Sequence, residues 1–317
     1  MLIVSPEQRF SDGDPESLIE ANPMILVPDQ FWQTVETTTK KATQSQALQP
    51  IPTDYETVKA QGIPFLVRIL SNLIRKEEAK EKQAQHKEKT GEDFDPFLPY
   101  EEDLFVSDVS DTHICLLNKY NVVENHLLIV TREFEEQENL INHNDFTALC
   151  ACLQKVDGLG FYNSGKDAGA SVRHKHLQLV PGSLASNLNE IPITPALKMA
   201  EGSGDFCEVP LFSFIHGFCW FNLDWTAHPE TIAQSVLDYY QTLLARINYE
   251  PGTPYNFLMT RNWMLVVLRK QETFQSIGIN SLGFAGALLV KNQEELQLVK
   301  DHNPLEILAS VSKPKIG

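Results

Sequence analysis

The sequence predicts an α+β fold, in which strands pair locally into an antiparallel sheet and helices flank that sheet. Two short apolar runs, His113–Leu117 and residues 126–130, are joined by polar residues, which favours antiparallel pairing. Residues 229–247 repeat apolar side chains at helical spacing. Strands and helices do not alternate regularly, so a doubly wound parallel sheet is not expected.

The remaining elements follow from local patterns along the chain. Residues 145–156 predict a helix capped by Asp145 and ended by Gly158 and Gly160. A glycine-rich stretch then leads into a strand at residues 171–180. Residues 75–93 are almost wholly polar and predict a solvated helix or loop. Further strands are predicted at 62–73, 212–222, 256–259 and 263–268, with a charged helix from residue 293 and a loop-like boundary between two halves at 183–205.

Composition excludes several classes of protein. The chain has 317 residues, 42% hydrophobic and 21% charged, which are values of a globular protein. Its net charge of −16 argues against nonspecific nucleic-acid binding, but it does not exclude an anionic small-molecule substrate. No apolar stretch reaches the length of a membrane span, and the N-terminal residues lack the pattern of a signal peptide. We therefore expect a cytoplasmic protein with no membrane partner.

The five cysteines are not arranged for a disulfide framework or a four-cysteine zinc site. Their number is odd, and no Cys-x-x-Cys pair occurs. Cys150 and Cys152 could approach a metal together, but buried thiols in a reducing compartment are the favoured interpretation.

Residues 163–180 carry the pattern most suggestive of chemistry. On a strand, side chains two positions apart share a face, so His174, His176 and Gln178 are predicted to point the same way. Leu177 then points into a core. Lys175 lies on that second face, and we expect it near the start of the strand, where it can reach water.

A glycine loop beside two histidines favours phosphate chemistry. Gly165 and Gly169 would let the backbone approach an anion and present N–H groups to it. A neutral imidazole can attack phosphorus and form a phosphoramidate if a neighbour holds its other ring nitrogen. Two alternatives stay open for His174 and His176. In the first, the two histidines are polar groups on a solvated sheet face. In the second, they are a pair of zinc ligands, although no Asp, Glu or Cys nearby completes such a site.

Six motifs follow one another along the chain: NKYNVV at 118–123, HLLIVT at 126–131, FYN at 161–163, HKHLQ at 174–178, YNFLMT at 255–260 and INSLGFAG at 279–286. Together they resemble the motifs of the histidine-triad superfamily, and within it those of the diadenosine tetraphosphate phosphorylases, also called ATP adenylyltransferases. The resemblance extends from about residue 62 to residue 291. It implies a histidine-triad-like antiparallel sheet with flanking helices and two related halves. Residues 1–185 would form the catalytic half, and residues 200–317 the half that completes the substrate pocket.

The resemblance implies a role for each residue of the HKHLQ motif. His176 corresponds to the family's nucleophile, and the backbone carbonyl of His174 orients its ring. Transferase members carry glutamine at the position of Gln178, whereas hydrolase members carry a third histidine. The implied reaction is the reversible phosphorolysis of diadenosine tetraphosphate to ATP and ADP, through a covalent AMP–histidine intermediate.

The resemblance also implies a set of substrate-binding residues, each of which could instead be an ordinary surface or turn residue. Relatives usually carry a glutamine at position 172 and often an acid at 173, so Val172 and Arg173 put the substrate length or acceptor preference in doubt. The set is Lys76, Asn118, Lys119, Asn163, Ser164, Gly165, Gly169, Ala170, Ser171, Val172, Ser276, Ile277, Gly278, Asn280, Gly283 and Lys291.

The expected partners are small-molecule nucleotides and inorganic phosphate. The nucleotides are diadenosine polyphosphate, ATP and ADP. Neither a tightly bound cofactor nor a protein metal site is expected, although the charge of a polyphosphate is compatible with an accompanying Mg²⁺ ion. Despite the acidic composition, we expect a locally positive pocket, because charges beyond a Debye length of roughly 8 Å are screened. Its candidate cations are Lys76, Lys119, Lys166, Arg173 and Lys291.

Two other functions remain as alternatives. Hexose-1-phosphate uridylyltransferases share His-x-His-x-Gln, but they usually have proline between the histidines and metal-binding residues elsewhere. Lys175 and the lack of cysteine pairs count against them. A catalytically silent nucleotide sensor is the second alternative, and the retention of His174, His176 and Gln178 weighs against it.

Overall fold

The described residues form a large nine-stranded sheet with helices on both faces, a small three-stranded sheet and a two-stranded pair of Thr273–Phe274 with Ile277–Gly278. The computed structural model describes residues 24–70, 95–182, 184–185, 190–201 and 205–315. The helices are α1 (Phe31–Gln44), α2 (His143–Lys155), α3 (Thr194–Lys198), α4 (Pro229–Arg246), α5 (Ser281–Phe284), α6 (Gln293–His302) and α7 (Pro304–Val311). The strands are β1 (Thr53–Ala60), β2 (Ile63–Leu70), β3 (Phe105–Asp108), β4 (His113–Leu117), β5 (Leu127–Thr131), β6 (Gly158–Asn163), β7 (His176–Pro181), β8 (Phe206–Cys207), β9 (His216–Trp220), β10 (Tyr255–Met259), β11 (Trp263–Leu268), β12 (Thr273–Phe274), β13 (Ile277–Gly278) and β14 (Ala287–Val290).

The large sheet has nine antiparallel strands in the order β3-β4-β5-β7-β6-β10-β11-β9-β8. This confirms the predicted α+β class and the predicted pairing of residues 113–117 with the strand that follows. The sheet continues across the predicted boundary, because β6 pairs with β10 and places Asn163 opposite Asn256. The assignment of separate roles to residues 1–185 and 200–317 stays a prediction.

The small sheet departs from the antiparallel expectation. Its order is β1-β2-β14, and β14 runs parallel to β2. The hairpin turns at Gln61 (φ 49°) and Gly62 (φ 86°), a left-handed pair typical of a tight two-residue turn. The pattern at 62–73 therefore predicted β2 but missed β1, whose side chains are mostly exposed and lack an apolar run. Residues 71–73 lie outside the described residues.

Helix α2 begins earlier than the sequence predicted. Asn142 is the N-cap, and its side chain accepts from the backbone N–H of Asp145 at 3.0 Å. The Asp145 carboxylate in turn accepts from the Asn142 N–H at 2.7 Å, which completes a capping box. Gly158 and Gly160 do not end the helix but belong to β6. A Cβ at Gly160 would lie 2.8 Å from the side chain of Leu149, so glycine lets α2 pack closely on the sheet.

The large sheet separates two apolar cores. Helices α2 and α4 pack against one face and against each other. The opposite face carries β7 side chains such as Val180 and packs with α5, α6 and α7. A third, smaller cluster lies on β4 and β5, on the same face as His176, and consists of Phe97, Ile114, Leu116, Leu128 and Val130. None of the helices in the described residues is long and apolar enough to cross a membrane.

Candidate active site

The nucleophile predicted from the sequence opens β7. The strand begins at His176 and not at residue 171 as predicted, so His174 precedes it and makes only an isolated bridge to Glu136. His176 and Gln178 share one face of the sheet, opposite Val130 and Leu128 of β5. The predicted common face is confirmed for His176 and Gln178, and the His174 ring, which precedes the strand, contacts the same Phe97 ring as His176 does.

The His176 ring has one nitrogen hydrogen-bonded and one without a hydrogen-bond partner among the described residues. Nδ1 lies 2.8 Å from the backbone carbonyl oxygen of His174. Because a carbonyl only accepts, Nδ1 carries the proton and Nε2 keeps its lone pair. Burial lowers the pKa of His176 to about 4, so the ring is neutral at neutral pH. A neutral imidazole with a free Nε2 is the form in which histidine acts as a nucleophile.

Gln137 fixes the backbone of His176, and no sequence motif pointed to it. Its side-chain oxygen accepts from the His176 N–H at 2.8 Å, and its nitrogen donates to the His176 carbonyl at 3.2 Å. The same nitrogen donates to the Asn163 carbonyl at 2.9 Å. Gln137 is buried in the loop after β5, where it ties the start of β7 to the end of β6.

The His174 ring is held by residues that the sequence analysis also missed. Its Nδ1 lies 2.8 Å from the Asp95 carboxylate, and its Nε2 donates to the Thr131 carbonyl at 2.8 Å. The Phe97 ring packs edge-on against both His174 and His176, at centroid distances of 5.6 and 5.3 Å. These contacts fix the His174 carbonyl, which is the group that orients His176. Asp95 and Phe97 follow the polar run and carry no motif of their own.

The expectation that Lys175 reaches water is wrong. Its side chain is fully buried, and Nζ lies 2.7 Å from the Asp145 carboxylate and 3.1 Å from that of Glu135. Nζ also donates to the Leu140 carbonyl at 3.0 Å. Local sequence could not reveal this, because the counter-charge comes from the first turn of α2 on the opposite face of the sheet.

Asp145 is suited to pair with a buried lysine because several groups favour its ionised form. Burial alone would raise the pKa of Asp145, but the hydrogen bond from His113 and the charge of Lys175 outweigh burial and lower it. His113 Nε2 lies 3.1 Å from the carboxylate. The pair therefore forms a charged, fully buried link beside His174 and His176, on the opposite face of the sheet.

Gln178 belongs to a chain of polar side chains. Its amide oxygen lies 2.9 Å from His126 Nε2, and His126 Nδ1 lies 3.3 Å from the amide nitrogen of Asn118. Burial lowers the pKa of His126 to about 4. His126 thus connects Asn118 with Gln178, two residues that were predicted to belong to the site. The sequence analysis treated His126 only as part of a strand motif.

Asn163 joins strands that are distant in sequence. Its side-chain oxygen accepts from the Asn256 amide and from the Ser281 backbone N–H, both at 2.9 Å. Asn256 also donates to the Ala168 carbonyl at 2.8 Å. These bonds connect β6, β10, the glycine loop and α5. Its predicted substrate contact stays a prediction.

The two loop glycines are required by neighbouring protein atoms. Gly165 and Gly169 have φ angles of 79° and 91°, which favour glycine. A Cβ would lie 2.8 Å from Glu138 at the first position and 2.7 Å from the Ile279 carbonyl at the second. The Gly169 N–H donates to the Lys166 carbonyl at 2.8 Å, so it is not free for an anion. Position 169 does, however, lie against Asn280, which joins two of the predicted substrate segments.

Other predicted substrate residues are distributed more widely. Ile277 and Gly283 are buried, and a Cβ at Gly283 would lie 3.0 Å from Ile279, so this glycine serves packing. In the described residues, no hydrogen bond or ion pair joins residues 276–278 or Lys291 to the catalytic histidines. Lys76 lies outside the described residues. Of the remainder, Ser164 is buried, Ala170 is half-buried, Val172 packs on the third cluster, and Ser171, Ser276, Gly278 and Lys291 are exposed.

Two of the cations proposed for a positive pocket already have carboxylate neighbours. Lys119 forms an ion pair with Glu101, and Arg173 forms one with Glu136. The Arg173 guanidinium also lies 6.0 Å from the centre of the Phe134 ring. A ligand phosphate at either position would have to compete with these carboxylates.

Comparison with known proteins identifies the family. A family model described as the Ap4A phosphorylase N-terminal domain matches residues 21–199, and one described as the ATP adenylyltransferase C-terminal domain matches residues 209–314. Protein APA1 of Saccharomyces cerevisiae is 28% identical over 262 residues, which cover 74% of this chain and 77% of the yeast protein. Diadenosine 5',5'''-P1,P4-tetraphosphate phosphorylase 2 of the same organism is 30% identical over 235 residues, which cover 64% and 70%.

The fold agrees with a solved structure of the same kind. The crystal structure of yeast Ap4A phosphorylase Apa2 in complex with Ap4A matches with a TM-score of 0.76 and 22% identity, over 92% of this chain and 100% of that one. Because the N-terminal family model alone spans more than half of the sequence, the chain belongs to the Ap4A phosphorylase family.

Proposed function

We propose that this protein phosphorolyses diadenosine tetraphosphate (Ap4A) to ATP and ADP, with His176 as the nucleophile. The observation that carries the proposal is the His176 ring, which is neutral, has Nδ1 bound to the His174 carbonyl and has no partner for Nε2 in the part of the chain that the structure describes. The family matches favour this activity over a hexose-1-phosphate uridylyltransferase.

The reaction proceeds in two displacements. Nε2 attacks the α-phosphorus of one adenosine, the bond from that phosphorus to its bridging oxygen breaks, and ATP leaves. An oxygen of inorganic phosphate then attacks the same phosphorus, the P–N bond breaks, and ADP leaves with neutral His176 restored. In both displacements the proton stays on Nδ1, which keeps its hydrogen bond to the His174 carbonyl. The apolar cluster of Phe97, Leu116 and Leu128 beside His176 offers a wall for a flat nucleobase.

The test is incubation of the protein with labelled Ap4A, with and without phosphate. Phosphate-dependent release of ADP supports the proposal. Tight binding without turnover would instead identify a sensor, and activity only with sugar nucleotides would identify a uridylyltransferase. Intact mass after mixing with Ap4A in the absence of phosphate should show the addition of one AMP, which His176→Ala should not acquire.

Gln178 is expected to favour phosphate over water as the acceptor. A glutamine amide can hold phosphate oxygens without delivering a proton, whereas histidine could act as a general acid or base and assist water. We expect Gln178→His to raise the ratio of AMP to ADP formed at a fixed phosphate concentration. Gln154→His, at a glutamine of α2 outside the site, serves as the control. An unchanged ratio in an active Gln178→His variant would shift attention to Val172 and Arg173.

The burial of His176 predicts an unusual pH dependence. An exposed histidine, with its pKa near 6.5, becomes protonated below about that pH and loses the neutral form that acts as a nucleophile. Because the pKa of His176 is lowered to about 4, the rate of adduct formation in single-turnover mixing without phosphate should hold nearly constant from pH 7.5 down to about pH 5. A midpoint near 6.5 in the free enzyme would contradict this assignment.

The remaining expectations stay predictions. ATP, ADP and inorganic phosphate would complete the set of small-molecule partners, and Mg²⁺ would enter only with the polyphosphate, whose charge it balances. No tightly bound cofactor is expected, and a cytoplasmic location is still the one we expect. The substrate-binding residues named from the resemblance are proposed contacts.

A further inference from the structure

The amide of Gln178 lies at the end of a four-member hydrogen-bond chain that starts from a backbone group. The Tyr120 N–H donates to the Asn118 side-chain oxygen at 3.2 Å. The Asn118 nitrogen then faces His126 Nδ1, and His126 Nε2 faces the Gln178 oxygen at 2.9 Å. The donor and acceptor roles in each hydrogen bond fix those in the next one.

The direction of the chain follows from its first donor. A backbone N–H can only donate, so the Asn118 oxygen must face Tyr120 and its NH₂ group must face His126. His126 Nδ1 therefore accepts. Burial keeps this ring neutral, with its pKa lowered to about 4, so its one proton lies on Nε2. That proton requires an acceptor, which is the oxygen of Gln178 and not its NH₂ group.

We propose that His126 is a positioning residue that locks Gln178 as a hydrogen-bond donor toward the reacting phosphate, with Asn118 as its support. With its oxygen held by His126, Gln178 has both N–H groups without a partner among the described residues and therefore left for phosphate oxygens. Without His126, the amide could rotate by 180° and present its oxygen, which repels phosphate. This inference rests on the proposed function and assigns a role to a residue that the sequence analysis gave only as part of the HLLIVT motif.

Two other buried histidines provide an internal comparison. His176 and His216 each donate from Nδ1 to the carbonyl two residues earlier, at 2.8 Å in both cases. His216 Nε2 accepts from the Val209 N–H at 2.9 Å. Both therefore carry their proton on Nδ1, which is the opposite tautomer to His126. His216 is as buried as His126 and lies in the same sheet, so it is a matched control outside the site.

The first experiment does not depend on activity. In the ligand-free protein labelled with ¹⁵N at histidine, long-range ¹H–¹⁵N correlation spectra between pH 6 and 8 should show the His126 proton on Nε2. His176 and His216 should show theirs on Nδ1. Loss of single signals in His126→Phe and His216→Phe assigns the resonances. A proton on Nδ1 of His126 overturns the proposal, even if the protein proves to have another activity.

The second experiment measures phosphorolysis in variants. His126→Phe should lower kcat by about tenfold or more, with little change in KM, because one oriented donor is lost in the transition state. His126→Gln, which can donate to Gln178 from its own amide, should recover most of the rate, and His216→Phe should keep the wild-type kcat per folded enzyme. In a Gln178→Ala background, His126→Phe should cost nothing further. Additive losses in the double variant would overturn the proposal, and so would failure of His126→Gln to recover activity.

Discussion

His176→Ala is expected to lower the turnover of Ap4A by at least about a thousandfold, which corresponds to about 4 kcal/mol of transition-state stabilisation. Among the described residues, the neighbouring histidine His174 cannot replace the nucleophile, because both of its ring nitrogens are engaged by Asp95 and Thr131. The measurement is steady-state release of ADP at saturating phosphate, together with intact mass for the adduct.

The control for this loss is a histidine of equal burial elsewhere. His216→Ala removes a ring with the same kind of bond to a carbonyl two residues earlier, but on β9. It should lower stability and leave turnover per folded molecule near that of the wild type. Turnover of His176→Ala within about tenfold of the wild type would rule out this nucleophile.

Lys175→Met is expected to destabilise the fold by about 3–5 kcal/mol, because it leaves Asp145 as a buried charge without its cation. The side chains of Lys175 and Asp145 are almost completely buried, and their ion pair spans 2.7 Å. Methionine has a similar shape, so the lost charge dominates the result. Urea unfolding followed by circular dichroism measures the effect.

Two further variants separate charge from packing. Lys175→Met combined with Asp145→Asn removes both charges and should recover a large part of the loss, since an uncompensated buried charge is the main cost. Lys155→Met, at the exposed end of the same helix, removes a surface partner of Asp29 and should leave the unfolding midpoint near that of the wild type. Wild-type stability in Lys175→Met would show that the buried pair contributes little.

The sequence predicted the parts of the site that depend on local spacing. Alternation along a strand correctly placed His176 and Gln178 on one face, and apolar runs located β4, β5, β10 and β11 closely. The start of β7 was placed too early because the backbone N–H of Lys175 bonds to the Glu135 carbonyl in the loop after β5 and not to a neighbouring strand. No local pattern encodes that choice.

The supporting residues could not be predicted because they are brought in from distant segments. Asp95 lies 79 residues before His174, and Gln137 lies 39 residues before His176. Each is an ordinary polar residue until the fold places it beside a histidine. The burial of Lys175 could not be predicted for the same reason, because it depends on the Asp145 carboxylate in α2.

The pairing of β6 with β10 has a consequence for synthesis of the chain. The two asparagines that join these strands are 93 residues apart, so one edge of β6 stays without its neighbour until the ribosome has released residues beyond 259. An apolar strand with an open edge is a template for association with other chains. Nascent molecules therefore pass through a stage in which the strand that carries His176 has been made but its sheet is unfinished, and association with other chains is favoured most in that interval.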